Sequence, residues 1–170
     1  AAGFINKVPE IVKEYGNEFT VATVGTIKVT PHSVNVIPGT CTFSLEIRDQ
    51  SAEVMKLIEN HLRQLLEDIC KKYGVTSTFV PTSYHDPAPM SELVRGTIEE
   101  AVKELGIDYT VIPSGAFHDS LIMTSVFPTG MIFVPSKDGI SHSRYEYTAP
   151  EDIENGCNVL LNTVLKLDEK

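Results

Sequence analysis

Two prolines near the middle of the chain limit its possible folds more than any other feature. Pro87 and Pro89 lie in the stretch His85-Asp86-Pro87-Ala88-Pro89. Two fixed φ angles and two missing N–H donors exclude a helix or a central strand there. The stretch reads as a linker, and the sequence changes texture across it. Residues 1–85 hold 8 Lys+Arg and 9 Asp+Glu, whereas residues 86–170 hold 6 and 14. At 170 residues the chain has the size of one ordinary domain or two small ones. The break favours two regions with different jobs.

Before the linker the periodicities alternate. Phe4, Ile5, Val8, Ile11 and Val12 recur at helical spacing, and Gly16-Asn17 stops the helix. That helix opens mid-pattern, with no capping residue and no Met, as in a fragment or a processed chain. Residues 19–30, rich in Thr and Val, predict a strand with a bulge at Gly25. Residues 31–39 form a loop. From Thr40 to Arg48, Cys41, Phe43, Leu45 and Ile47 alternate with Thr42, Ser44, Glu46 and Arg48. One face of that strand is therefore buried and Arg48 stands on the other. A helix is predicted over 52–72, ended by Gly74, and a strand over 75–81. The order α-β-β-α-β is an α+β layer, an antiparallel sheet with two helices on one face.

After the linker, residues 91–105 predict a helix ended by Gly106. Tyr109–Ile112 is a short apolar strand, and residues 117–126 look helical. Met131–Val134 is apolar at every position, the mark of a strand covered on both faces. Thr148-Ala149-Pro150-Glu151 reads as a capping box that opens a last helix, ending near Leu167. This α-β-α-β-α order is a piece of a doubly wound α/β domain.

Composition narrows the partners. With 42% hydrophobic and 22% charged residues, the chain is globular rather than disordered. A net charge of −9 argues against nucleic acid and against an anionic membrane surface. No apolar run approaches the ~20 residues of a membrane span. Cys41, Cys70 and Cys157 are odd in number and form no CxxC. They read as small buried hydrophobes in a reducing cytoplasm, not as a disulfide framework or a structural zinc site.

Ligands of open α/β sheets bind beyond the carboxyl ends of the strands. Two loops fall there, Pro113–Ser120 and Pro135–Glu146, and each carries a histidine. His118 and His142 are thus candidates for one metal or catalytic site, against the plainer reading of loop histidines bonded to backbone carbonyls. No HxxxH, HExxH or CxxC completes a ligand set. Asp119, Asp138 and Glu146 are possible carboxylates with no fixing pattern. Ser114 is not in a GxSxG elbow, and Gly115, Gly130 and Gly139 form neither GxGxxG nor a Walker loop. Arg48 suits bidentate binding of a carboxylate. Its plain alternative is an ion pair with Glu46 or a neighbouring strand. His32, His61 and His85 look like loop, helix-surface and linker residues without function.

Three strings converge on a family. TVGTIKVTPHSVNVIPGTCTFSLEIRD (23–49), SGAFHDS (114–120) and MIFVPSKDGISHSRYE (131–146) together resemble the M20-type amidohydrolases. The nearest branch contains N-carbamoyl-L-amino-acid hydrolases, allantoate amidohydrolases and β-ureidopropionases. The resemblance runs in consistent order over nearly the whole chain. Arg144 departs from the usual Pro, Phe117 from a small Gly, and Glu46 from an Asp.

The resemblance implies a catalytic α/β domain with two divalent ions, zinc or manganese, and an inserted lid that also dimerises. Residues 1–84 look like most of that lid, and residues 85–170 like the C-terminal part of the catalytic domain. His142 matches the last metal ligand. Asn35 and Arg48 match the lid pair that holds the substrate, with Arg48 on its carboxylate, and Gly139 matches a substrate-contacting turn. His118 and Asp119 match a motif beside the site, in a supporting role. The implied reaction is metal-assisted hydrolysis of the carbamoyl or ureido C–N bond of a small ureide or N-carbamoyl amino acid. The other metal ligands, the general-base Glu and the lid's first strand precede these motifs in the family. The general base is expected upstream of Ala1. The expectation is a cytoplasmic, homodimeric enzyme's C-terminal fragment, inactive and holding no metal stably by itself. An M20 peptidase or aminoacylase, or a non-catalytic dimerisation module, is the alternative.

Overall fold

The structure is a computed structural model that describes residues 1–169. The chain divides into two compact units, Ala1–Pro87 and a second that begins at Ala88.

The first unit opens with α1 (Ala2–Tyr15). Four short strands follow: β1 (Val21–Thr23), β2 (Ile27–Thr30), β3 (Thr40–Phe43) and β4 (Glu46–Arg48). β1 pairs with β4 and β2 with β3, both antiparallel. The two strands expected over 19–30 and 40–48 are thus one hairpin with an interrupted ladder. At the interruption, Val24, Gly25 and Thr26 stand opposite Ser44 and Leu45. One extra residue on one strand is a β-bulge, as expected at Gly25. Its effect shows in burial. Cys41, Phe43, Leu45 and Ile47 keep strict alternation, while the other strand turns inward at Ala22 and Val24 and then at Val29. The even-to-odd switch keeps all three on the core face.

α2 (Ala52–Tyr73) starts where Ser51 Oγ accepts the Val54 N–H, and ends at Gly74 in the left-handed region (φ 62°). α1 and α2 cover the hairpin. Phe4, Val8, Ile58 and Leu62 are the buried centre, and the Phe4 and Phe43 rings meet at 5.3 Å. Burying each such side chain stabilises by about 1.5–3 kcal/mol.

The strand expected over 75–81 is absent. No described strand pairs with it, and a strand exists only through its partner's hydrogen bonds. The segment touches α2 at Phe79 instead, where the Arg63 guanidinium sits 3.7 Å from the ring centroid.

The second unit is built on α3 (Glu92–Glu104), α4 (Asp119–Met123) and α5 (Pro150–Asp168). α3 and α5 pack together. Their buried residues include Thr97, Ala101 and Val102 on α3, and Val159 and Thr163 on α5. The two buried threonines donate to the carbonyls of Leu93 and Val159, one turn back. Burial therefore leaves neither hydroxyl unpaired. Lys166 Nζ reaches Glu104 Oε1 at 2.6 Å across the pair.

Three expectations fail here. The capping box is not formed: α5 is capped at Ala149 with no side-chain bond, and Pro150 supplies the preset first turn. The helix expected over 117–126 is cut to the single turn of α4. No strand forms over 109–112 or 131–134. Those runs find no backbone ladder partner among the described residues. Ile112 is 61% and Phe133 52% exposed, so the apolar run is not covered on both faces. Close approach is nonetheless built in. A Cβ on Gly130 would stand 2.7 Å from Val94, and one on Gly156 2.5 Å from Val134. The described architecture is therefore helices with small antiparallel sheets.

Among the described residues, no helix is long and apolar enough to cross a membrane.

Candidate functional site

Arg48 ends β4 on the exposed face of the hairpin. Its Nη2 bonds both Glu46 oxygens, at 2.8 and 2.9 Å. The plain alternative for this residue is thus realised, because side chains two apart on a strand share a face. The next residue fixes the strand end. Asp49 accepts the Ser51 N–H at 2.8 Å, the Thr20 hydroxyl, and the Asn17 amide at 3.4 Å. Thr20, 7% exposed, in turn accepts the Asn17 N–H. The Ile-Arg-Asp string therefore couples an exposed cation to an anchored aspartate. Sequence reasoning missed the role of Asp49.

Asn35 lies in the 31–39 loop, where its Oδ1 accepts the Ser33 hydroxyl at 2.7 Å. That loop is anchored at the Thr30–Thr40 pair. Arg48 pairs with Val21 at the other end of the hairpin, about 27 Å of strand away at 3.4 Å per residue. Asn35 and Arg48 belong to one hairpin but not to one end of it.

In the second unit, the 137–147 loop is closed by a bond from the Lys137 N–H to the Tyr147 carbonyl, 2.8 Å. Inside it, Lys137–Gly139 form a 3₁₀ turn with Asp138 at φ 57° and Gly139 at φ 67°. A Cβ on Gly139 would meet nothing within 4 Å. The left-handed backbone, not crowding, calls for glycine there. The Gly139 N–H is used by the Ser136 carbonyl. His142 is also left-handed, at φ 54°. Its N–H donates to Glu146 Oε2 at 2.8 Å, so a side chain four residues on holds the turn. Non-glycine residues in this region are uncommon and concentrate at functional sites.

His118 precedes α4 and Asp119 begins it, exposed to solvent. The His118 ring contacts Phe133 at 5.5 Å between centroids, and its Nε2 lies 2.8 Å from Ser114 Oγ. The 113–120 loop is joined to the 131–134 run through His118 and Phe133. Among the described residues, no three His, Cys, Asp or Glu side chains are grouped to hold a metal ion. Of the partners of the two histidines, the sequence shows Ser114 only as a serine outside any GxSxG elbow and Glu146 only as a possible carboxylate.

With this geometry in view, likeness to known proteins is informative. The pattern of peptidase family M20/M25/M40 matches residues 8–166. An N-carbamoyl-L-amino acid amidohydrolase of Geobacillus stearothermophilus is 38% identical over 167 residues, covering 98% of this chain and 40% of that protein. An allantoate amidohydrolase of Bacillus subtilis is 34% identical, covering 85% of this chain and 35% of that protein. The crystal structure of AtUAH in complex with (S)-hydroxyglycine matches with a TM-score of 0.92 at 34% identity, over 99% of this chain and 40% of that one. The Geobacillus and Bacillus relatives are amidohydrolases by name, and the chain belongs to the M20/M25/M40 peptidase family. It spans about 40% of the length of the first relatives it matches.

Proposed function

We propose that this chain is part of an amidohydrolase that cleaves the carbamoyl or ureido C–N bond of a small N-carbamoyl amino acid or ureide. The observation that carries the reading is a likeness over 98% of the chain to a protein named for that class of hydrolysis. Residues 1–84 serve as a lid and dimerisation region, and residues 85–170 belong to the catalytic domain. Arg48 binds the substrate carboxylate with its planar fork of donors, on a strand end that Asp49 holds still. Asn35 and Gly139 add substrate contacts. His118 and Asp119 support the site from beside it.

The resemblance also implies two zinc or manganese ions. Tetrahedral zinc takes three or four protein ligands. The described residues of this chain supply no such group, so by themselves they do not fit the centre. His142 contributes one imidazole to it. The chemistry assigned to this chain is holding and orienting the acid end of the substrate. The enzyme acts in the cytoplasm as a homodimer, on a small molecule.

The test is hydrolysis by a full-length enzyme carrying this sequence, with N-carbamoyl amino acids, allantoate, ureidoglycolate and N-acetyl amino acids offered in parallel. Release of ammonia from the carbamoyl or ureido substrates is expected. Turnover of the N-acetyl substrates alone would replace the reading with an aminoacylase. The 170-residue chain, incubated with zinc or manganese, is expected to be inactive, and turnover by it would sink the division of labour. Light scattering checks the dimer.

A further inference from the structure

Ser114 Oγ and His118 Nε2 are 2.8 Å apart, and both side chains are half-buried. A second bond bears on which group donates. Ser114 Oγ also accepts the Ala116 N–H, at 3.3 Å. A hydroxyl carries one proton and two acceptor positions, and a neutral imidazole has one donor and one acceptor. If Nε2 carried the ring proton, Ser114 would accept two N–H bonds. Its own proton would then have no partner among the described residues. If Ser114 donates, its proton goes to Nε2 and its oxygen still takes the Ala116 N–H. Every polar atom of the trio is then used, which partial burial favours. The ring proton must then sit on Nδ1. Phe133 packs on the ring, 5.5 Å between centroids at 59°, and opposes the flip that would exchange the two nitrogens.

We propose that Ser114 is a positioning residue that fixes His118 as the Nδ1–H tautomer. Nδ1–H is then the ring's remaining polar group, a donor for an acceptor oxygen of a bound ureide, carbonyl or carboxylate. The ligand rests on the function proposed above, whereas the tautomer does not. A neutral donor suits an uncharged carbonyl oxygen without burying a cation beside it.

The experiment is nitrogen-15 NMR of the histidine rings in the 170-residue chain at about pH 9, where imidazole is neutral. Loss of one signal in His118→Asn assigns the ring. Free imidazole side chains in water favour Nε2–H, so the two outcomes differ in kind. His118 is expected as Nδ1–H in the parent and in Ser114→Thr, which keeps the hydroxyl. Ser114→Ala is expected to move it to Nε2–H with the amide spectrum otherwise preserved. An Nε2–H ring in the parent overturns the proposal, and so does a tautomer unmoved in Ser114→Ala. If that variant does not fold, the parent and Ser114→Thr decide. A ring found as Nδ1–H beside a full-length enzyme that ignores ureides would keep the role of Ser114 and remove the ligand.

Discussion

Arg48 Nη2 stands 2.8 Å from one carboxylate oxygen of Glu46 and 2.9 Å from the other, two residues back on the same strand face. The pair is exposed, at 46% for Arg48 and 59% for Glu46. Exposed pairs are worth about 0.2–1 kcal/mol, so if Arg48 binds the substrate carboxylate as proposed, Glu46 is displaced at little cost. In a full-length enzyme, Glu46→Gln should lower KM for an N-carbamoyl acid about 2- to 5-fold. Arg48→Ala should raise it by more than about tenfold. Steady-state kinetics decide, and a KM unmoved in both variants would take Arg48 out of the site.

His142 is held in its left-handed turn by Glu146. If its imidazole is a metal ligand of the full-length enzyme, His142→Ala should lose bound metal, as read by elemental analysis after desalting. Metal content equal to the parent's would end that assignment.

Glu59 sits between Lys56 and Arg63 on α2, with bonds of 3.1 and 2.6 Å. Burial alone would raise its carboxyl pKa. The bonds from Arg63 and Lys56, with their charges, outweigh that and hold it below the ordinary glutamate range. A lowered folded-state pKa adds stability above the unfolded value of about 4.3 and loses it as pH falls through the folded value. Glu59→Gln should therefore cost about 0.5–1.5 kcal/mol at pH 7. Urea titrations at several pH values should show the gap to the parent closing below about pH 4. A gap that stays constant into acid would mean the charge of Glu59 is not what stabilises.

Gly16 ends α1 where a Cβ would stand 2.6 Å from the Val12 carbonyl oxygen and 2.7 Å from Thr20 Oγ1. The first neighbour is backbone and the second belongs to the Asp49 network, so neither gives way easily. Gly16→Ala should destabilise the first unit by about 1–3 kcal/mol. Chemical unfolding followed by far-ultraviolet circular dichroism measures it. A neutral result would show that the α1 end relaxes.

The parts of this fold legible in sequence are those whose signals are local. α2 was readable because its apolar spacing, its Ser51 cap and its Gly74 stop all lie within the element. The alternation of 40–48 put Arg48 on the exposed face for the same reason. Strands over 75–81, 109–112 and 131–134 were not safely readable, because a ladder depends on a partner far along the chain. The string Thr148–Glu151 misled, since Pro150 alone is enough to start α5. In the candidate site, His118 and His142 stood out as residue types. Ser114 and Glu146 did not stand out as their holders, because a serine or glutamate four residues away from a histidine is common in any sequence. The anchoring of Asp49 needed Asn17 and Thr20, about thirty positions earlier.

The hairpin bulge has an evolutionary corollary. Ala22 and Val24 face inward with even numbers and Val29 with an odd one. The surplus residue at 24–26 reconciles the two phases. Exchanging a side chain there alters one position. Losing or gaining a single codon would turn everything on one side of it inside out. Natural variants of this segment should therefore differ in letters and agree in length.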